Sequence, residues 1–139
     1  MDQYISEIIK LSNKSLANQD IPVGALIVKD NLIISKGYNT REKNEDVMGH
    51  AEINAIRKAS KKLGNWNLQG CSLYVTLKPC SMCMEIIKQC RIDKVFYLLD
   101  KPTNKKEFDK TVVKQIDSKE NIKKYNDILS NFFVNLRVK

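Results

Sequence analysis

Apolar residues near the start of the chain fall at Ile5, Ile8, Ile9, Leu11 and Leu16, a spacing that predicts an amphipathic helix over residues 2–19. Pro22 stops any continuation, because it fixes its own φ and has no amide hydrogen to donate. The period then changes. Val23–Val28 and Leu32–Tyr38 are β-rich runs separated only by Lys29-Asp30-Asn31, which predicts two strands joined by a tight hairpin. Thr40–Gly49 is polar and reads as a loop. It delivers His50 to a second helical pattern through Ile53, Ile56 and Ala59, which stops near Gly64. Ser72–Leu77 predicts a third strand. Pro79 then precedes Cys80, which opens a helix running through Met84, Ile86 and Ile87. Val95–Leu99 predicts a strand, and residues 100–110 lack periodicity and read as a flexible loop. The stripe Ile122, Tyr125, Ile128, Leu129, Phe132 and Phe133 predicts a last helix beginning at Ser118. The order is an α/β alternation with no internal repeat and no low-complexity linker.

With 139 residues, the chain is long enough to bury a real core, and residues 1–139 are expected to form one domain. No apolar run approaches the ~20 residues of a membrane span, and Met1-Asp2-Gln3 begins no signal peptide, so no membrane association and a cytoplasmic location are expected. The formal charge of +8 suggests a polyanionic partner. Residues 100–139 hold ten Lys or Arg and six Asp or Glu. The C-terminal region is therefore the first place to look for an anionic contact, against the plainer reading of a solvated Lys/Asn-rich surface.

The chemistry is concentrated in His50-Ala51-Glu52 and Pro79-Cys80-Ser81-Met82-Cys83. A Cys-x-x-Cys pair in the first turn of a helix fits both metal binding and thiol redox chemistry, because the helix dipole favours thiolate in either case. The single histidine of the chain, standing two residues before a carboxylate, directs the reading to metal. A catalytic zinc site takes three protein ligands and leaves a position open for water. His50, Cys80 and Cys83 supply three ligands. Glu52 is left over as a proton carrier. Side chains at a helix start lean back toward its N-terminus, so His50 and Glu52 can both point off the end toward a common centre. The other two cysteines are poorly placed as a fourth ligand. Cys71 opens the third strand, and Cys90 lies two helical turns beyond Cys83, so both read as packing residues.

With these residues in place, the chain resembles the zinc-dependent nucleobase deaminases, and among them the bacterial tRNA adenosine deaminases. The resemblance extends through Pro22-Val23-Gly24-Ala25, Gly37-Tyr38-Asn39, Leu73-Tyr74-Val75-Thr76-Leu77, Met82-Cys83 and Leu129-Ser130-Asn131-Phe132-Phe133 followed by Arg137. It implies a cytidine deaminase-like three-layer α/β/α sandwich with a central mixed sheet, assembled as a homodimer. It further implies hydrolysis of adenosine to inosine at the wobble position of a tRNA anticodon, by a zinc-activated water with Glu52 moving the protons. One Zn2+ per chain would sit on His50, Cys80 and Cys83. By the same resemblance, Asn39 contacts the flipped nucleotide and the Ala51 backbone touches the base edge. An anticodon stem-loop suits such chemistry because its bases can already be splayed out.

The chain departs from that family's usual pattern at three places. Lys78 replaces a Glu before Pro-Cys, Val47-Met48-Gly49 replaces Pro-Thr-Ala before the histidine, and Asp100–Asp109 lacks the usual Gly-rich residues. Two other functions share the metal set. One is deamination of a free base or nucleotide, such as guanine, cytosine or deoxycytidylate (dCMP), which needs no basic surface. The other is a zinc-stabilised, non-catalytic binding module, for which Glu52 would be superfluous. The C-terminal helix, with Phe133, Arg137 and Lys139 as expected tRNA contacts, favours the tRNA reading.

Overall fold

The computed structural model describes residues 2–100 and 111–138, without the side chains of Arg137 and Val138. The loop expected at 100–110 lies outside the described residues from Lys101 onward. The elements are α1 (Asp2–Ala17), β1 (Gly24–Lys29), β2 (Leu32–Tyr38), α2 (Ala51–Leu63), β3 (Ser72–Leu77), α3 (Ser81–Gln89), β4 (Lys94–Leu99), β5 (Val112–Gln115) and α4 (Lys119–Val138). Eight follow the periodicity of the sequence, seven of them closely and α4 with an end five residues past Phe133. The ninth, β5, carries no alternating pattern because it is a four-residue edge strand whose side chains are mostly exposed.

The sheet order is β2-β1-β3-β4-β5, with β1 antiparallel to β2 and β3, and β3, β4 and β5 parallel. The β1–β2 hairpin turns through Asp30 and Asn31, both at positive φ (51° and 63°), the conformation a two-residue turn needs to follow the strand twist. Strand alternation divides the core between the two faces of the sheet. Ala25, Ile27, Leu73, Val75 and Val95 pack with Ile56 and Ala59 of α2 and Met84 and Ile87 of α3. Leu26, Val28, Tyr74 and Leu98 pack with Ile5, Ile8 and Ile9 of α1 and Tyr125 of α4. These faces make the expected three-layer α/β/α sandwich on a mixed sheet.

Gly37 sets the position of the second helix. A Cβ there would lie 2.5 Å from the Ala51 carbonyl oxygen and 2.7 Å from the Ala55 nitrogen. Only glycine lets the first turns of α2 press onto the end of β2, which fixes where His50 and Glu52 stand.

Candidate metal centre and active site

His50 is the N-cap of α2 and Cys80 the N-cap of α3, both in extended backbone conformation and neither using its side chain to cap its helix. Both side chains are instead turned toward each other. The His50 Nδ1 lies 3.9 Å from Cys80 Sγ and 3.4 Å from Cys83 Sγ. The ligand atoms of all three residues fall within 4.8 Å of one another, and no other such group occurs among the described residues. Tetrahedral zinc with Zn–S of about 2.3 Å and Zn–N of about 2.0–2.1 Å separates nitrogen from sulfur by about 3.5 Å. The observed distances bracket that value. The donor set therefore fits one zinc ion per chain, at a point where two positively polarised helix starts converge.

Charge within the group is divided unequally. Hydrogen bonds from the Cys83 thiol and the His50 ring pull Cys80 down to about 3, so it is a thiolate even without metal. Cys83, buried and donating to Cys80, is held well above the ordinary thiol range. The hydrogen bond to Cys80 also raises His50 against the opposing effect of burial. Cys71 and Cys90 lie in the core, where burial raises both, and stand apart from the group as the sequence suggested. Glu52 is only 4 % exposed, and burial raises its carboxyl.

A cavity of about 160 Å³ opens over the group, lined by Asn39, Ala51, Glu52, Leu77 and Lys78 along with His50 and Cys80. Its other wall is Ile21 and Val23. That wall is laced down carbonyl by carbonyl. Asn39 Nδ2 donates to the Ile21 oxygen at 3.1 Å, the Tyr125 hydroxyl to Pro22 at 2.6 Å, and the Asn39 amide to Val23 at 3.0 Å. Asn39 thus faces the cavity where the resemblance places a substrate contact, and it also braces the wall. As the first residue of α2, Ala51 has an N–H with no acceptor inside the helix.

Lys78 lines the cavity, but its ammonium lies 3.9 Å from an Asp100 carboxylate oxygen and 5.7 Å from the centre of the Tyr97 ring. The charge brought in by this departure is thus met by a carboxylate and an aromatic face. Of the expected C-terminal contacts, Phe133 is 40 % exposed on α4; the Arg137 side chain and Lys139 lie outside the described residues.

Two residues of this site were not anticipated from the sequence. Arg41 lines the cavity, and its charge acts on His50. Asp20, 1 % exposed, accepts hydrogen bonds from the Glu42 and Lys43 amides at 2.6 and 3.2 Å and so fixes the turn that carries Arg41. A lone aspartate ahead of a proline gives no signal for a partner twenty-two residues away.

Residues 1–99 match a family model described as the cytidine and deoxycytidylate deaminase zinc-binding region. The chain belongs to this family. It is 43% identical over 94 residues to a tRNA-specific adenosine deaminase of Streptococcus pyogenes, a match covering 68% of this chain and 59% of that protein. The match to the tRNA-specific adenosine deaminase of Aquifex aeolicus is 41% over 101 residues, covering 72% and 67%. Among solved structures, one from studies of A-to-I editing by tRNA:A34 deaminases at the wobble position of transfer RNA shares 34% identity. Its TM-score is 0.71, and the match covers 73% of this chain and 78% of that one. The guanine deaminase of Bacillus subtilis shares 29% identity with a TM-score of 0.68, covering 91% of each chain. No helix among the described residues is long and apolar enough to cross a membrane.

Proposed function

We propose that this chain converts adenosine to inosine at the wobble position of a tRNA anticodon, as a single-domain cytoplasmic deaminase acting as a homodimer. The observation that carries the reading is a buried Glu52 at the cavity beside, and outside, the group His50, Cys80 and Cys83, in a chain about 40% identical over two thirds of its length to tRNA-specific adenosine deaminases. His50, Cys80 and Cys83 would hold the zinc ion, which when bound would supply a nucleophile at neutral pH by lowering the pKa of a water to about 7. Glu52 accepts one proton from the attacking water and passes it to the ring nitrogen, then takes the remaining proton of that oxygen and passes it to the amino group as the C–N bond breaks, so that adenosine and water give inosine and ammonia. Its raised pKa suits both directions of transfer. The Ala51 N–H and the Asn39 amide hold the base and its sugar against the wall formed by Ile21 and Val23. Phe133, with Arg137 and Lys139, meets the anticodon stem-loop at the end of α4.

A carboxylate buried at the metal group stabilises nothing by itself, which favours catalysis over a silent zinc module. One observation favours a second reading: the likeness to a guanine deaminase spans 91% of the chain, against 73% for the tRNA:A34 deaminase structure. Incubating the zinc-loaded protein with a tRNA panel and, separately, with free guanine, cytosine and deoxycytidylate tests both. Inosine at the wobble position with untouched free bases is expected. Ammonia released only from a free base would replace the tRNA reading with the second.

A further inference from the structure

The cations of this chain are not spread evenly around the site. Arg41 lines the site cavity and also an adjoining groove of about 690 Å³, which it shares with Lys43, Phe132 and Phe133. Lys43 in turn lines a separate hollow of about 280 Å³ with Asn44, Asn54, Arg57 and Lys58. One turn further along α2 come Lys61 and Lys62, so that all six cations, every one exposed, follow one another from the mouth of the site.

This arrangement gains little from the rest of the molecule. Arg41 meets Glu42, its exposed sequence neighbour, and Arg57 meets Asp46 at 4.0 Å. Among the described residues, no carboxylate lies within 4.0 Å of the ammonium group of Lys43, Lys58, Lys61 or Lys62, although Asp20 accepts from the Lys43 backbone amide. On α2 the pairs Arg57/Lys61 and Lys58/Lys62 stand four residues apart, the spacing at which like charges destabilise a helix. The dipole at the C-terminal end of α2 offsets this for Lys61 and Lys62, which lie in its last turn, but not for Arg57 and Lys58.

We infer that this strip binds the sugar-phosphate backbone of the RNA strand leaving the site. The inference rests on the tRNA reading and locates the grip on α2 and the turn before it, in addition to the end of α4. The smaller hollow is concave and is lined by Asn44, Asn54, Thr40 and Tyr38 between the cations, with no carboxylate among its lining residues, which suits phosphate and ribose oxygens better than a flat lipid surface; the larger groove also has Asp20 and Glu42 in its lining. At 1.5 Å per residue, the distance along α2 from Ala51 to Lys62 is about 17 Å. That matches roughly five stacked nucleotides at about 3.4 Å each.

The test compares two zinc-loaded variants that each remove four positive charges. One changes Lys43, Lys58, Lys61 and Lys62 to Ala; the other changes Lys10, Lys94, Lys114 and Lys119, exposed residues on other elements. Affinity for substrate tRNA is measured across a salt series, and deamination at saturating tRNA is measured alongside. The strip variant should flatten the dependence of log affinity on log salt by about three units, at 0.7–0.9 per lost phosphate contact, and keep its zinc and its saturated rate. The control should stay near wild type. Equal slopes for the two variants would overturn the strip, whereas a wild-type protein that turns over free bases but neither binds nor edits tRNA would overturn the functional reading along with it. Unchanged tRNA binding with loss of binding to phosphatidylserine vesicles would reassign the strip to a membrane surface.

Discussion

Glu52 has two properties that pull in opposite directions. Burial raises its carboxyl above the usual value near 4.5, so the folded protein retains a proton that the unfolded chain has already lost. The stability this group contributes is full below about 4.5 and disappears as pH rises through the raised value. Glu52→Gln removes the titration and keeps the shape. Melting curves of the zinc-free proteins should therefore show the variant gaining on wild type as pH rises from 4 to 7. In the zinc-loaded protein the same variant should keep its metal and lose about 10²–10⁴-fold in turnover, the usual worth of a general acid–base group. Loss of zinc would instead make Glu52 a ligand. The meeting of His50, Cys80 and Cys83 beside Glu52 is legible in the sequence because coordination restricts both residue type and spacing, and because the chain has a single histidine. Arg41 and Asp20 are not legible. Their roles depend on where a turn is pinned in three dimensions, and nothing local records the pinning.

Among the elements, α4 shows how far a hydrophobic stripe can be read. Its apolar spacing identifies the helix and its inward face, but only Tyr125 is fully buried; Ile122, Ile128 and Leu129 are half-buried. The hydrogen bond from the Tyr125 hydroxyl to Pro22 joins residues 103 apart, which no periodicity reveals. It ties α4 to the wall of the site, since Ile21 and Val23 flank Pro22. Tyr125→Phe keeps the ring and leaves the buried Pro22 carbonyl without this donor, a loss of about 1–3 kcal/mol. The melting temperature should fall. Because the wall relaxes as well, kcat/KM measured far below that temperature should also fall, with zinc content unchanged. A variant that melts earlier yet turns over normally while folded would make the bond purely structural. The edge strand β5 marks the opposite limit of legibility: with little of it buried, it has no alternation to read, and only its pairing with β4 defines it.

Across the whole molecule, the His50, Cys80 and Cys83 group brings together two helix starts that the chain separates by thirty residues, at one end of a sheet whose faces are each covered by two helices. Anything that binds the folded chain and not the unfolded one adds stability, by about 4 kcal/mol at a free concentration a thousand times Kd. Zinc should therefore raise the melting temperature, saturating at one equivalent per chain, and a chelator should reverse the rise. The charge division within the group sets the pH dependence. Cys80 is held low, so its coordination releases no proton near neutrality, whereas Cys83, held well above the ordinary thiol range, must give one up. Apparent zinc affinity should consequently rise by about tenfold per pH unit between pH 6 and 8, with proton release measurable in weakly buffered titrations. Replacing both Cys71 and Cys90 by Ala should leave stoichiometry and slope unchanged, since neither belongs to the group. A stoichiometry that drops in that double variant would place a core cysteine among the ligands and remove the open position that the proposed hydrolysis requires.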